Sequence, residues 1–290
     1  MKFLISIICF SLFVVSLNCQ SFKNLPEFTA PIQITDNRPF VEVKIKEKKL
    51  YFVIDTGGFN LIDTDRAKEL GLELSNPSRT SGAGEQTVEV WRTTIESFSI
   101  GDKTFNNQQF NVLSLKNIKD GLNLPYLDGI IGYDFFGSLV LQIDYPNQKF
   151  SILNNYTGKN GTPFSIYGSH IPKLKVEIDG IESEFVLDTG DRSQLTLSKN
   201  FSKQILEKAK YELSEEKITG YGIGGAILAN TFELISLQVG SVGFEKVLTR
   251  IPNVKSGAFA QSSFNGSIGS GLLRKYKVTF DYPNNLIYFE

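Results

Sequence analysis

One repeated segment constrains this chain more than any other feature. Phe52-Val53-Ile54-Asp55-Thr56-Gly57 returns as Phe185-Val186-Leu187-Asp188-Thr189-Gly190, at an offset of 133 residues (188 − 55). In each copy an apolar run of β-branched and aromatic residues reads as a buried strand, an Asp follows at its end, and a Gly permits a sharp turn. A carboxylate at such a place needs hydrogen-bond donors or must keep its proton, so both acids are candidates for a tuned pKa.

The echo extends well beyond six residues. Phe40–Ile45 matches Lys173–Ile178, both alternating apolar with charged as half-buried strands do. Downstream, Ser81-Gly82-Ala83-Gly84 corresponds to Thr219-Gly220-Tyr221-Gly222, and Phe98–Gly101 to Leu237–Gly240. Asp128-Gly129-Ile130-Ile131-Gly132 corresponds to Asn265-Gly266-Ser267-Ile268-Gly269. Ile143–Asn147 pairs with Phe280–Asn284, where the offset has grown to 137 (281 − 144). The chain therefore reads as two homologous lobes, 28–153 and 164–290, joined by a polar, turn-rich linker at 154–163.

These residues resemble the aspartic peptidases of the retropepsin and pepsin type. Each lobe of that family carries an Asp-Thr-Gly strand end, a Gly-containing flap, and a hydrophobic-hydrophobic-Gly strand that closes a loop around the Asp; all three occur here in order in both halves. The resemblance is greatest to bacterial single-chain members with two retropepsin-like lobes, since each half keeps a flap-like Gly hairpin. It implies an all-β fold of two β-barrel lobes with a few short helices and the active-site cleft between them. It also implies an aspartic endopeptidase with Asp55 and Asp188 as catalytic residues, acting on polypeptides. Thr56 and Thr189 would bond across the interface, and Gly57 and Gly190 would donate backbone N–H groups to the carboxylates. Gly82, Ala83 and Gly84, with Tyr221, Gly222 and Ile223, would form the flaps over the substrate. The alternative is a retropepsin-like protein that binds peptides without cutting them.

The mechanism expected of two facing carboxylates needs no cofactor and no metal. They share one proton, because both cannot ionise cheaply at close range. The ionised member takes a proton from water and the protonated member polarises the scissile carbonyl. With both half-sites in one chain, a monomer is expected.

Composition excludes most other chemistry. Both cysteines, Cys9 and Cys19, lie in or beside the N-terminal apolar segment, so the body has no disulfide, thiol nucleophile or cysteine zinc site. His170, the only histidine, sits before a strand and reads as a solvated loop residue. The 30 basic and 31 acidic residues nearly cancel, which gives no nucleic-acid footprint. Residues 1–20 have the layout of an export signal: Lys2, an apolar run from Phe3 to Leu17, then polar Asn18-Cys19-Gln20. An uncleaved anchor and lipid attachment through Cys19 are the alternatives, the latter with Asn18 in place of the usual small residue. Export to the periplasm, the medium or the cell envelope follows in each case.

Short strands punctuated by Gly, Asn and Pro fill the rest. Helices are expected over Thr64–Gly71 and Ser198–Tyr211. Gly220–Gly225 fits the G-x-G-x-x-G pattern of dinucleotide sites, but a strand-like run follows where that motif requires a helix. The residue after each triplet departs from the family's Ser, Thr or Ala: it is Gly58 in the first lobe and Asp191 in the second. Asp191 is expected to face the cleft and raise the pKa of the pair; the alternative turns it outward, solvated or paired with Arg192.

Overall fold

Alternating apolar residues set the strands from the first element onward. The computed structural model describes residues 27–261 and 263–290; the N-terminal apolar segment, with Cys9 and Cys19, lies outside the described residues. In β1 (Phe28–Thr35), Phe28, Ala30 and Ile32 are buried while Thr29 and Pro31 are exposed. There follow β2 (Arg38–Ile45), β3 (Lys48–Ile54), β4 (Leu61–Asp63), α1 (Thr64–Glu69), β5 (Ser75–Ser81) and β6 (Thr87–Ile100). Then come β7 (Lys103–Leu113), α2 (Lys116–Leu122), β8 (Gly129–Ile131), α3 (Tyr133–Phe136), β9 (Val140–Asp144) and β10 (Lys149–Leu153).

The second half takes the same course through β11 (Thr162–Tyr167), β12 (Ile171–Ile178), β13 (Ile181–Asp188), β14 (Leu195–Leu197), α4 (Lys199–Lys208) and β15 (Lys217–Gly222). It ends with β16 (Gly225–Val239), β17 (Val242–Pro252), β18 (Gly266–Gly269), α5 (Ser270–Leu273), β19 (Lys277–Asp281) and β20 (Leu286–Phe289). The fold is all-β with a few short helices. The linker's last two residues belong to β11, which pairs with β20 from Thr162.

The pairings of the two halves match strand for strand. β8 lies between β3 and β4, parallel to the first and antiparallel to the second, and β4 is parallel to β7. β18 lies in the same way between β13 and β14, with β14 parallel to β17. One antiparallel layer, in the order β1, β10, β9, β19, β20, β11, joins the halves. One buried apolar cluster runs from Phe28 to Ile287 and draws on both. A smaller one, which includes Phe40, Val53, Leu61 and Leu115, has its buried residues in the first half.

Both expected helices form, with shorter bounds. α1 ends where Gly71, at φ 63°, and Leu72 return N–H bonds to Lys68 and Ala67, a closure that only a left-handed residue makes cheaply. Its N-cap position is Asp63 rather than Thr64, and the Asp63 side chain does not cap the helix: it accepts from Leu115 N–H at 2.8 Å and from Lys119. α4 is capped by Ser198, whose hydroxyl accepts from Phe201 N–H. α2 has no side-chain cap and no fully buried residue, but Ile118 and Leu122 pack against the smaller cluster; no helix was expected there.

Candidate active site

Both copies of the repeated segment deliver their acid to the same point. Asp55 follows β3 and Asp188 ends β13, and the two carboxyls hydrogen-bond each other. Gly57 N–H donates to Asp55 Oδ1 at 2.7 Å; Gly190 and Asp191 N–H donate to Asp188 Oδ1 at 2.9 and 3.1 Å. A Cβ at Gly57 would overlap the carboxyl of Asp188, and one at Gly190 that of Asp55, so each loop closes on the other's acid only because both are glycine. Gly58 has the same reason: a Cβ there would lie 2.8 Å from Asp55 Oδ2.

Beneath the acids the threonines cross-link the loops. Thr56 Oγ1 donates to Leu187 O at 2.9 Å and accepts from Thr189 N–H; Thr189 Oγ1 donates to Ile54 O at 2.7 Å and accepts from Thr56 N–H. Both side chains are fully buried and fully bonded, so the loops are fixed relative to one another. Burial pushes the pKa of Asp55 up and that of Asp188 much further up, since the charges of Asp55 and Asp191 also bear on Asp188. The pair therefore keeps one shared proton above the usual carboxylate range.

Two hairpins close over the acids. β5 and β6 carry Gly82, Ala83 and Gly84 at one tip; β15 and β16 carry Gly222, Ile223 and Gly224 at the other. The tips meet: Gly224 N–H donates to Ala83 O at 2.9 Å, and Gln86 N–H to Gly224 O at 3.0 Å. The space enclosed is a cavity of about 860 Å³. Asp55, Gly57, Asp188 and Gly190 line its floor; Gly82, Ala83, Tyr221, Gly222 and Ile223 line its roof. Thr56 and Thr189 lie below the lining and Gly84 lies at the tip contact. Because β16 runs antiparallel to β15 from Gly225, the glycine-rich run 220–225 is a hairpin turn and not a dinucleotide loop.

Residues 41–135 match the family model for aspartyl proteases. This stretch is similar to that family. It holds Asp55, the first flap and the strand β8 that closes the loop around the acid. A search of curated proteins finds no match to the chain. Asp188 lies outside the matched stretch, so its place opposite the aspartyl protease triplet rests on the geometry above.

The surroundings of this site differ from expectation at His170, and Asp191 faces the cavity as expected but with another cation. His170 is not a solvated loop residue. It is half-buried: its ring packs on Phe59 with centroids 4.0 Å apart, and Nε2–H donates to Gly57 O at 3.1 Å. Burial holds its pKa below the usual imidazole value, against the opposing pull of Asp55 and Asp134. Asp191 lines the cavity, and its cation is not Arg192, which pairs with Asp36 instead. Arg250 Nη2 reaches both Asp191 oxygens at 3.0 and 2.9 Å, and Ser193 donates through N–H and hydroxyl. Burial alone would raise the pKa of Asp191; Arg250 and these bonds bring it below the ordinary carboxylate value.

Arg38, at the start of β2, is a further contributor that the sequence did not single out. Its Nε donates to Gly190 O at 2.6 Å, as His170 does to Gly57 O, so each half of the chain ties down the other's triplet loop. Among the described residues, no group of three or more His, Cys, Asp or Glu side chains is placed to hold a metal ion.

Proposed function

We propose that this protein is an aspartic endopeptidase that hydrolyses a peptide bond with water activated between Asp55 and Asp188. The observation that carries the reading is the pair of buried, mutually hydrogen-bonded carboxyls, each with its own backbone donors, on the floor of a roofed cavity. The match of residues 41–135 to the aspartyl protease family model supports it.

The chemistry follows from the shared proton. With Asp55 ionised and Asp188 protonated, Asp55 takes a proton from water as the water oxygen attacks the scissile carbonyl carbon. Asp188 donates its proton to the carbonyl oxygen, which gives a neutral gem-diol. On collapse Asp55 passes the captured proton to the leaving nitrogen and Asp188 recovers its own from a gem-diol hydroxyl, so the pair ends as it began. Closure of the two tips excludes bulk water and holds an extended chain against the acids. The N-terminal segment, read as an export signal or lipid attachment site, would place this activity outside the cytoplasm.

Asp55→Asn and Asp188→Asn each test the reading. Each is expected to lower kcat by about 10²–10⁴-fold or more while far-UV circular dichroism stays native. A folded variant with wild-type turnover would overturn the mechanism. A protein that binds peptides without cutting them would also show no gain in affinity for a hydroxyl-bearing peptide mimic over the plain peptide.

A further inference from the structure

The two walls of the cleft occupy equivalent strand positions and carry opposite chemistry. In the first half, Ile130 on β8 pairs with Val53 and with Leu61, and Leu61 pairs across to Asn111. In the second half the same places hold Ser267, Val186, Thr196 and Arg250. Leucine has become threonine, isoleucine serine and asparagine arginine. Gly58, three residues after the first acid, has become Asp191.

The substitutions act together. On the first wall Val53, Leu61 and Ile130 line the cavity with Leu115, Leu124 and Leu127, and the loop around α2 deepens this apolar recess. On the second wall the recess is filled. Thr196 and Ser267 are 0% and 2% exposed beneath the Asp191–Arg250 ion pair; Arg250 Nε donates to Thr196 Oγ1 at 2.9 Å, and Ser267 Oγ reaches Asp191 Oδ2 at 3.5 Å. Phe259 covers the guanidinium, 5.4 Å from its ring centroid, so the plug is closed from the side.

We infer that the cleft selects peptides asymmetrically, taking a large apolar side chain against the first wall and a small or hydrogen-bonding one against the second. The inference rests on the peptidase reading and names its substrate class: sequences with a bulky apolar residue on one side only of the scissile bond. An apolar side chain gains by leaving water in the first recess. Against the second wall it would cover a charged pair without offering a hydrogen bond, which costs free energy.

Digestion of a random octapeptide library, read by mass spectrometry, tests this. Leu, Phe and Met are expected to be enriched about tenfold or more at one of the two positions flanking the cut and not at the other. Leu61→Thr combined with Ile130→Ser should erase that enrichment. Enrichment at both positions, or at neither, would overturn the inference. A measurement without turnover keeps it separate from the peptidase reading: calorimetry of the wild-type protein with two hydroxyl-bearing peptide mimics, one with a benzyl group on the amino side and a hydroxymethyl on the carboxyl side, the other reversed. One is expected to bind at least about tenfold tighter. Equal binding, or no binding of either, sinks the asymmetry even where cleavage stands. Unequal binding without cleavage keeps the asymmetry and removes the peptidase reading.

Discussion

Asp191 is held ionised by Arg250 while its own charge bears on Asp188, so a single side chain links the second wall of the cleft to the proton of the acid pair. The sign of its removal follows. Without the Asp191 charge the protonated form of the pair is less favoured, and the Arg250 charge left behind favours ionisation further. Asp191→Ser is therefore expected to move the acidic limb of the kcat/KM profile to lower pH at constant ionic strength, and an unmoved limb would count against the coupling. The same variant strands a cation whose side chain is 6% exposed, so a stability loss of about 3–5 kcal/mol is expected in denaturant unfolding. Asp55 and Asp188 were legible in the sequence because their whole local setting recurs. His170, Arg38 and Arg250 were not, because each acts on a residue 59 to 152 positions away, across the fold or across the interface. The one available hint was that His170 is the sole imidazole and sits at a strand entrance, which is equally the signature of a surface turn.

Among the elements, each flap is gripped from the opposite half. Tyr221 of the second flap packs on α2 so closely that a Cβ at Gly121 would overlap its ring, and Ile223 at the tip packs against the smaller apolar cluster of the first half. The first flap is held by the segment after β17: Ala258 N–H donates to Gly82 O at 3.1 Å, and Lys255 N–H to Glu85 Oε1 at 2.5 Å. The glycines of both tips could be read from the sequence, since hairpin tips need them. The grips could not, because each is a contact across the fold: the spacing of Leu115, Ile118 and Leu122 marks an apolar face of α2 but not the flap it meets, and the segment from Asn253 to Ala260 has no such period. Gly84 is the residue on which closure turns: at φ 96° it strains any side chain, and a Cβ would run into the backbone of Gly224. Gly84→Ala should part the tips and lower kcat/KM by about tenfold to a hundredfold, through looser placement of the substrate, with far-UV circular dichroism unchanged. Undiminished kcat/KM in that variant would show that the tips need not meet for turnover.

Across the whole molecule, the joint between the halves is built on the repeat itself. Where β9 meets β19, Gln142 lies opposite Thr279, its own equivalent at the offset of 137, and Gln142 Nε2 donates to Thr279 Oγ1 at 2.9 Å. On either side Leu141 faces Phe280 and Ile143 faces Val278, so the pairing reads the same from both directions. The local pseudo-two-fold passes through this pair of strands, and the triplet loops meet about the same relation. Strand identity was readable from alternation, but this register was not, since alternation alone leaves the choice of partner strand open. Two consequences follow from one joint. The antiparallel layer and the buried cluster both cross from half to half, so neither half has a core that ends at the linker, and calorimetric unfolding is expected as one transition rather than two. Both acids also come from one chain, and β9 and β19, the edges that a lone half would offer to a second copy, already satisfy each other. Sedimentation velocity should therefore give the mass of a single chain, and specific activity should stay constant on serial dilution. A specific activity that fell as the protein was diluted, with the mass falling in step, would mean that the working site is assembled between chains and that the internal joint does not suffice.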